Sequence, residues 1–232
     1  MQETSVTAAD GLPIVFEGPI AIVGGGAVEP QLLAALAARG VALVGADGGG
    51  DVIGAAGLVP AAIIGDLDSL ADRAGWEART RVVHLAEQAT TDFQKVLYST
   101  RAPVTLALGM TGKRLDHTLA ALSAVLEYAP SRRLLLVDEV DVAFAAVGAF
   151  AFDAAAGERV SLHPLEPIDF SGSTGLDYPL DGLHLAPGGM LGTSNAAIGG
   201  RVEIVPAAAS MGVPWLLILD KGRLWDLMAA LR

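Results

Sequence analysis

Cysteine is absent from the 232 residues. Disulfides, thiolate-held zinc and cysteine nucleophiles are therefore excluded, and the redox compartment stays open on this count. Positive charge is short as well: 15 lysines and arginines face 26 acids, for a net charge of −11. A sequence-independent grip on nucleic acid through phosphate neutralisation is not expected of such a chain. No apolar run approaches the roughly 18 residues that a membrane span requires, and Met1 to Gly18 has neither a basic n-region nor a continuous apolar h-region. The expectation is a soluble, cytoplasmic protein without nucleic-acid or membrane partners. Internal repeats and low-complexity blocks are missing too. The four histidines, at 84, 117, 163 and 184, are too dispersed for a local zinc signature, and no Gly-x-Ser-x-Gly elbow occurs.

What is present is apolar: 52% of residues are hydrophobic, enough for one large domain or two modest ones. From residue 19 to 137 short apolar runs alternate with helical patterns. Ile20 to Val23 is followed by Gln31 to Arg39; Val41 to Val44 by a turn; then come Ala61 to Ile64, Arg81 to Val83, Phe93 to Thr100, Val104 to Leu108, Leu115 to Tyr128 and Leu134 to Val137. Alternation of this kind predicts a parallel α/β sheet covered on both faces. Leu115, Leu119, Leu122 and Leu126, like Phe93, Val96 and Leu97, recur at helical spacing and read as core. Beyond about Asp141 the segments shorten, Gly and Pro punctuate them, and Arg201 to Val205 alternates as a half-buried strand does. The predicted organisation is an N-terminal parallel-sheet (Rossmann-like) nucleotide-binding domain, residues 1–140, and a C-terminal β-sandwich domain, 141–232, closed by a short helix.

In open parallel sheets ligands collect at the carboxyl ends of the strands, and here three strand ends run into polar, glycine-rich clusters. They are Asp47-Gly48-Gly49, Gly65-Asp66-Leu67-Asp68-Ser69, and the stretch from Gly109 through Gly112, Lys113, Arg114 and Asp116 to His117. An Asp-x-Asp turn can aim two hard carboxylate oxygens at one Mg²⁺, which takes one or two carboxylates and leaves other positions to water and phosphate. A fourth cluster opens a helix: Thr91 fits an N-cap and Gln94 its N3 partner. Asp92 is then a dipole-favoured first-turn acid, and Lys95 shares its face. Rival motifs fail. Gly24 to Glu29 follows a strand but has Glu29 where a dinucleotide fingerprint needs its third glycine, and Gly109 to Arg114 is two residues too short for a P-loop.

Taken in order, these clusters resemble the thiamine pyrophosphokinase family, with its Asp-Gly-Gly turn, Gly-Asp-x-Asp-Ser, Gln-x-x-Thr-Asp-x-x-Lys and Gly-x-x-Gly-x-Arg-x-Asp-His motifs. Gly175 to Leu180 and Thr193-Ser194-Asn195 resemble two further motifs of that family. The resemblance implies transfer of a diphosphoryl group from ATP to the hydroxyl of thiamine, giving thiamine diphosphate and AMP. It implies Mg²⁺ on Asp47, Asp66, Asp68 and Asp92, of which Asp66, Asp68 and Asp92 are also read as catalytic. ATP contacts fall to Asp47, Gly48, Gly49, Ser69, Lys95, Gly109, Gly112, Arg114, Asp116 and His117. Thiamine falls to Gln88, Tyr178, Ser194 and Asn195, at the interface of a homodimer. Ala61, Ala89 and Lys113 depart from the family pattern without removing an expected metal ligand. The alternatives are a pyrophosphokinase for another hydroxymethyl heterocycle and a non-catalytic nucleotide or thiamine-diphosphate sensor; Glu29 disfavours an oxidoreductase.

Overall fold

The computed structural model describes residues 11–231; the first ten residues of the stretch read for a leader, and Arg232, lie outside them. In chain order the elements are β1 (Ile14–Val15), β2 (Ile20–Val23), α1 (Pro30–Ala38), β3 (Ala42–Ala46), α2 (Gly49–Ala55), β4 (Ala62–Gly65), α3 (Arg73–Glu77), β5 (Arg81–His84), α4 (Asp92–Ser99), β6 (Thr100–Arg101), β7 (Thr105–Leu108), α5 (Leu115–Tyr128) and β8 (Leu134–Val137). The remainder is β9 (Asp141–Val147), β10 (Phe150–Ala154), β11 (Arg159–Pro164), β12 (Ile168–Thr174), β13 (His184–Leu185), β14 (Gly192–Ala196), β15 (Gly200–Pro206), β16 (Pro214–Asp220) and α6 (Leu224–Ala230). No described helix is long and apolar enough to cross a membrane.

One ten-stranded sheet runs through most of the molecule in the order β14-β11-β16-β9-β8-β7-β2-β3-β4-β5. From β8 to β5 the pairing is parallel. The strands β2, β4, β7 and β8 are buried along their whole length, the consequence of continuous apolar runs covered by helices on both faces. The chain winds from β2 outward to β5, then returns to lay β7 and β8 on the other side of β2. A topological switch point therefore falls between β2 and β7, where crevices open in such sheets.

The expected change of character near residues 138–150 coincides with the antiparallel pairing of β8 with β9, so the sheet continues across it into β16, β11 and β14. A second, four-stranded antiparallel sheet, β10-β15-β12-β13, packs on this half. Phe170 of β12 meets Trp215 of β16 edge-on, with centroids 5.8 Å apart, and both are almost wholly buried. In β15 the alternation Val202 in, Glu203 out, Ile204 in is as expected. The terminal helix α6 buries Leu224, Leu227 and Met228, and Trp225 packs under the guanidinium of Arg39.

Two helical expectations change. The leucine stripe of α5 faces the core only in part: Leu122 is half-buried against it and Leu126 is half-buried, but Leu115 and Leu119 are 74% and 56% exposed, and the buried positions are Ala121, Ala124 and Val125. Small side chains let the α5 backbone lie close to the sheet, and close packing selects that face over the bulkier one. The second is α2, where a turn was expected. Its glycines let it press on the sheet: a Cβ on Gly49 would lie 1.8 Å from the Val23 carbonyl oxygen, and one on Gly50 2.5 Å from Ile63 Cδ1.

Candidate active site

β3 and β4 end side by side and release their acids at once. Asp47, directly after β3, adopts a left-handed conformation with φ 48°, which aspartate tolerates better than most residues. Its N–H donates to the Ile64 carbonyl at 3.0 Å, which locks it to β4. The side chain is buried; Oδ2 accepts from Ser69 N at 3.1 Å, whereas Oδ1 is buried without a hydrogen-bond partner among the described residues. Burial pushes the Asp47 carboxyl above its ordinary value; the Ser69 bond opposes this and the charge of Asp92 adds to it. A buried, unpartnered carboxylate oxygen calls for an ion or a donor. Gly65 makes the crowding possible, since a Cβ there would lie 2.8 Å from Asp47 Cβ and 3.0 Å from Asp92 Oδ1.

Asp66 Oδ2 accepts from Gln88 Nε2 at 2.9 Å and from Lys95 Nζ at 3.3 Å. The Gln88 bond holds the Asp66 carboxyl below its ordinary value, against burial and with help from Asp68 N and Lys95. Asp68 is exposed and accepts from Ser69 Oγ at 2.9 Å. Oxygen atoms of Asp47, Asp66 and Asp68 all lie within 4.8 Å of one another. Hard oxygen donors so grouped suit Mg²⁺.

The α4 start holds both of its predicted features. Thr91 and Gln94 form the reciprocal capping box, and Asp92 Oδ1 accepts from Lys95 Nζ at 3.0 Å and Asp66 N at 3.3 Å. Asp92 thus borders the three-carboxylate group and bonds to the lysine. Lys95 is 1% exposed. Burial works against its charge, but the hydrogen bonds and charges of Asp92 and Asp66 outweigh it and hold the ammonium above its ordinary value. Four carboxylates therefore gather at this edge with one buried ammonium, which is bonded to two of them, a surplus of negative charge that a divalent cation would offset.

The opposite wall is built from glycine loops after β2 and β7. Gly26 N donates to the Gly109 carbonyl at 2.9 Å, an approach only glycine permits, because a Cβ on Gly26 would lie 2.3 Å from that oxygen. Gly109 and Gly112 have φ of 68° and 90°. Lys113 Nζ donates to Gly25 O at 3.0 Å and ties the two loops together. Arg114 grips Asp116 through Nε at 3.1 Å and Nη2 at 2.6 Å, which lowers the Asp116 carboxyl to about 2. Asp116 Oδ1 also accepts from His117 N at 2.9 Å.

Between these walls lies a cavity of about 390 Å³. Asp47, Gly48, Asp66, Ser69, Gln88, Asp92, Lys95, Gly109, Arg114 and His117 line it. Of the other expected nucleotide contacts, Gly49 is buried against β2, and Gly112 and Asp116 are exposed and do not line the cavity. Tyr178, Ser194 and Asn195 are not brought to this cavity. Asn195 is buried and spends its amide locally, with Oδ1 accepting from Tyr178 N at 3.0 Å and Nδ2 donating to Tyr178 O at 2.6 Å. That clamp presents the Tyr178 ring to solvent, 67% exposed. Gly24, Gly25 and Gly26 line the cavity without having been assigned to it, as do Met110 and Thr111 within the Gly109 to His117 stretch. The glycine run after β2 was the signal for the first three, and weighing it only as a dinucleotide fingerprint hid it.

Acids, a buried lysine and close-set glycine loops at the switch point of a large mixed sheet suit the class of phosphate-handling α/β enzymes. Two family models make the class specific: the thiamin pyrophosphokinase catalytic domain matches residues 33–136, and the thiamin pyrophosphokinase vitamin B1 binding domain matches residues 151–207. The chain belongs to the thiamin pyrophosphokinase family. Among solved structures it is similar to thiamin pyrophosphokinase from Geobacillus thermodenitrificans, with a TM-score of 0.70 at 25% identity over 87% of this chain and 97% of that one. The yeast and Candida albicans thiamin pyrophosphokinases share the fold. Their TM-scores are both 0.72 at 18% and 15% identity, covering 90% and 88% of this chain and 89% and 90% of theirs. No curated protein sequence matched the chain.

Proposed function

We propose that this chain transfers a diphosphoryl group from ATP to the hydroxyl of thiamine, releasing AMP and thiamine diphosphate. The observation that carries the reading is the trio Asp47, Asp66 and Asp68, with its unpartnered buried Asp47 oxygen, facing glycine loops across a cavity of about 390 Å³. The trio fits Mg²⁺ by donor type and proximity. When bound there, the ion would supply positive charge to the β- and γ-phosphoryl oxygens.

The rest falls to the chain itself. The thiamine hydroxyl oxygen attacks the β-phosphorus, the bond to the α–β bridging oxygen breaks, and AMP leaves with that electron pair. Asp92 accepts two hydrogen bonds on Oδ1, which leaves Oδ2 to orient the hydroxyl and receive its proton. Lys95 keeps Asp66 and Asp92 in place and adds a fixed positive charge at the cavity floor. Arg114, 66% exposed at its side chain, swings from Asp116 to the polyphosphate, while Gly48, Gly109 and Ser69 allow backbone N–H groups to approach it.

Thiamine is assigned to Gln88 and to Tyr178 and Ser194 of a second copy, in a homodimer, with Asn195 holding the Tyr178 backbone rather than touching the ligand. Two observations support this. Tyr178 and Ser194 stand outside their own chain's cavity, and both halves expose apolar side chains: Leu115 and Leu119 on α5, Tyr178, Met190 and Ile198 on the antiparallel half. Paired exposed patches of this kind suit a self-complementary interface.

The deciding test is a product assay with Mg-ATP and thiamine. AMP appearing in step with thiamine diphosphate is expected. ADP with thiamine monophosphate would mean single phosphoryl transfer, and no thiamine-dependent product would redirect the site to another heterocycle or to sensing.

A further inference from the structure

The acidic loop after β4 is held from the start of α2 by two carboxylates four residues apart. Asp47 Oδ2 accepts from Ser69 N at 3.1 Å. One helical turn on, Asp51 Oδ2 accepts from Ala71 N at 2.8 Å, and its Oδ1 accepts from Trp76 Nε1 at 2.8 Å. Asp47 keeps one oxygen free for the cavity. Asp51 has both oxygens committed and is not part of the three-carboxylate group.

The loop needs holding. Leu67, between the two acids, has φ 65°, a left-handed conformation that a bulky side chain keeps only where its surroundings over-determine it. Leu67 packs with Ile63, Leu70 and Trp76 in a small cluster separate from the two main cores. The Trp76 ring in turn lies on α2, where a Cβ on Gly54 would meet it at 2.7 Å. Asp51 thus ties both the loop backbone and the loop's apolar anchor to the helix that begins beside Asp47.

We infer that Asp51 is a positioning residue: it sets the separation of Asp66 and Asp68 from Asp47, and through it the divalent-cation affinity of the site. Carboxylates that orient metal ligands in this way commonly change metal affinity by about 10–100-fold when removed. The inference rests on the metal reading proposed above.

The test compares Asp51→Ala, Asp51→Asn and Trp76→Phe. Mn²⁺ binding is measured by calorimetry, and hydrogen exchange of the loop amides is measured without metal. Asp51→Ala is expected to weaken Mn²⁺ at least tenfold and to speed exchange at Ser69 and Ala71. Asp51→Asn, which keeps one acceptor, should recover part of both. Trp76→Phe removes the indole donor and part of the buried ring but leaves the Asp51–Ala71 bond, and should stay within about threefold of wild type for Mn²⁺ while melting earlier. The inference is overturned if Asp51→Ala binds Mn²⁺ as wild type does, or if Trp76→Phe loses as much affinity, since the effect would then be general packing. Wild-type protein without Mn²⁺ affinity would instead remove the metal reading, and this inference with it.

Discussion

The two halves of the ten-stranded sheet bear differently on chemistry. In the parallel half every strand ends on the same edge, so residues far apart in sequence meet without help: Asp47 after β3, Asp66 after β4 and Gly109 after β7 line one cavity. In the antiparallel half successive strands end on opposite edges, and the loop carrying Tyr178 is closed on itself by Asn195. One half completes a site within the chain. The other offers a surface, which takes part in chemistry only against something else.

The sharpest way to break that contrast is to damage the half that is complete. Asp66→Asn and Asp68→Asn are each expected to cut turnover at least a hundredfold, about 2.7 kcal/mol of transition-state stabilisation, with the fold retained by circular dichroism. Near-normal AMP release from either would detach that acid from the chemistry. Lys95→Met removes an ammonium that is 1% exposed and leaves Asp66 and Asp92 without their shared partner. Denaturant unfolding should register a loss of about 3 kcal/mol, alongside lost activity.

A middle-sized effect tests the closeness of the strand ends. Gly65→Ala inserts a methyl 2.8 Å from Asp47 Cβ and is expected to lower turnover about tenfold while shifting the melting temperature by only a few degrees. The offered surface is probed by Tyr178→Ala. This should raise the Michaelis constant for thiamine several-fold without touching stability or ATP affinity, because the ring is 67% exposed. If the site is shared between copies, mixing Asp66→Asn with Tyr178→Ala subunits should yield more activity than either variant alone; no gain on mixing would confine the site to one chain. Smallest of all, Asp116→Asn loosens a surface pair with Arg114. It should leave stability unchanged within error and alter only the ATP dependence.

Legibility in the sequence divides along the same line. Parallel strands announce themselves as apolar runs, and the residues directly after each run must sit at the carboxyl edge, so Asp47, Asp66 and Gly109 were legible as a group, while Asp92 and Lys95 were legible from the capped helix start at Thr91. The facing of α5 was not, because Leu115 and Leu119 and the Ala121, Ala124, Val125 set are both helically periodic. The choice between them depends on how near the helix axis lies to the sheet, a tertiary quantity. The helix α2 was illegible for a related reason. Gly49, Gly50 and Gly54 are poor helix formers, and what favours helix there is contact with Val23, Ile63 and Trp76, none of which is local. Asp51 went unnoticed because its partners, Ala71 N and Trp76 Nε1, are a backbone group and an indole 20 and 25 residues away.

The β8–β9 pairing that carries the sheet across residue 138 has a mechanical consequence. A hinge needs a segment whose torsions can change at little cost, and here residues 137–150, between the two family-matched regions, run from the end of β8 through a turn into β9, which is hydrogen-bonded to β8 on one side and to β16 on the other. Opening and closing of the halves as rigid bodies is thereby stiffened, and whatever admits substrate must be loop motion at the edge. The same continuity predicts one cooperative melting transition for both halves rather than two.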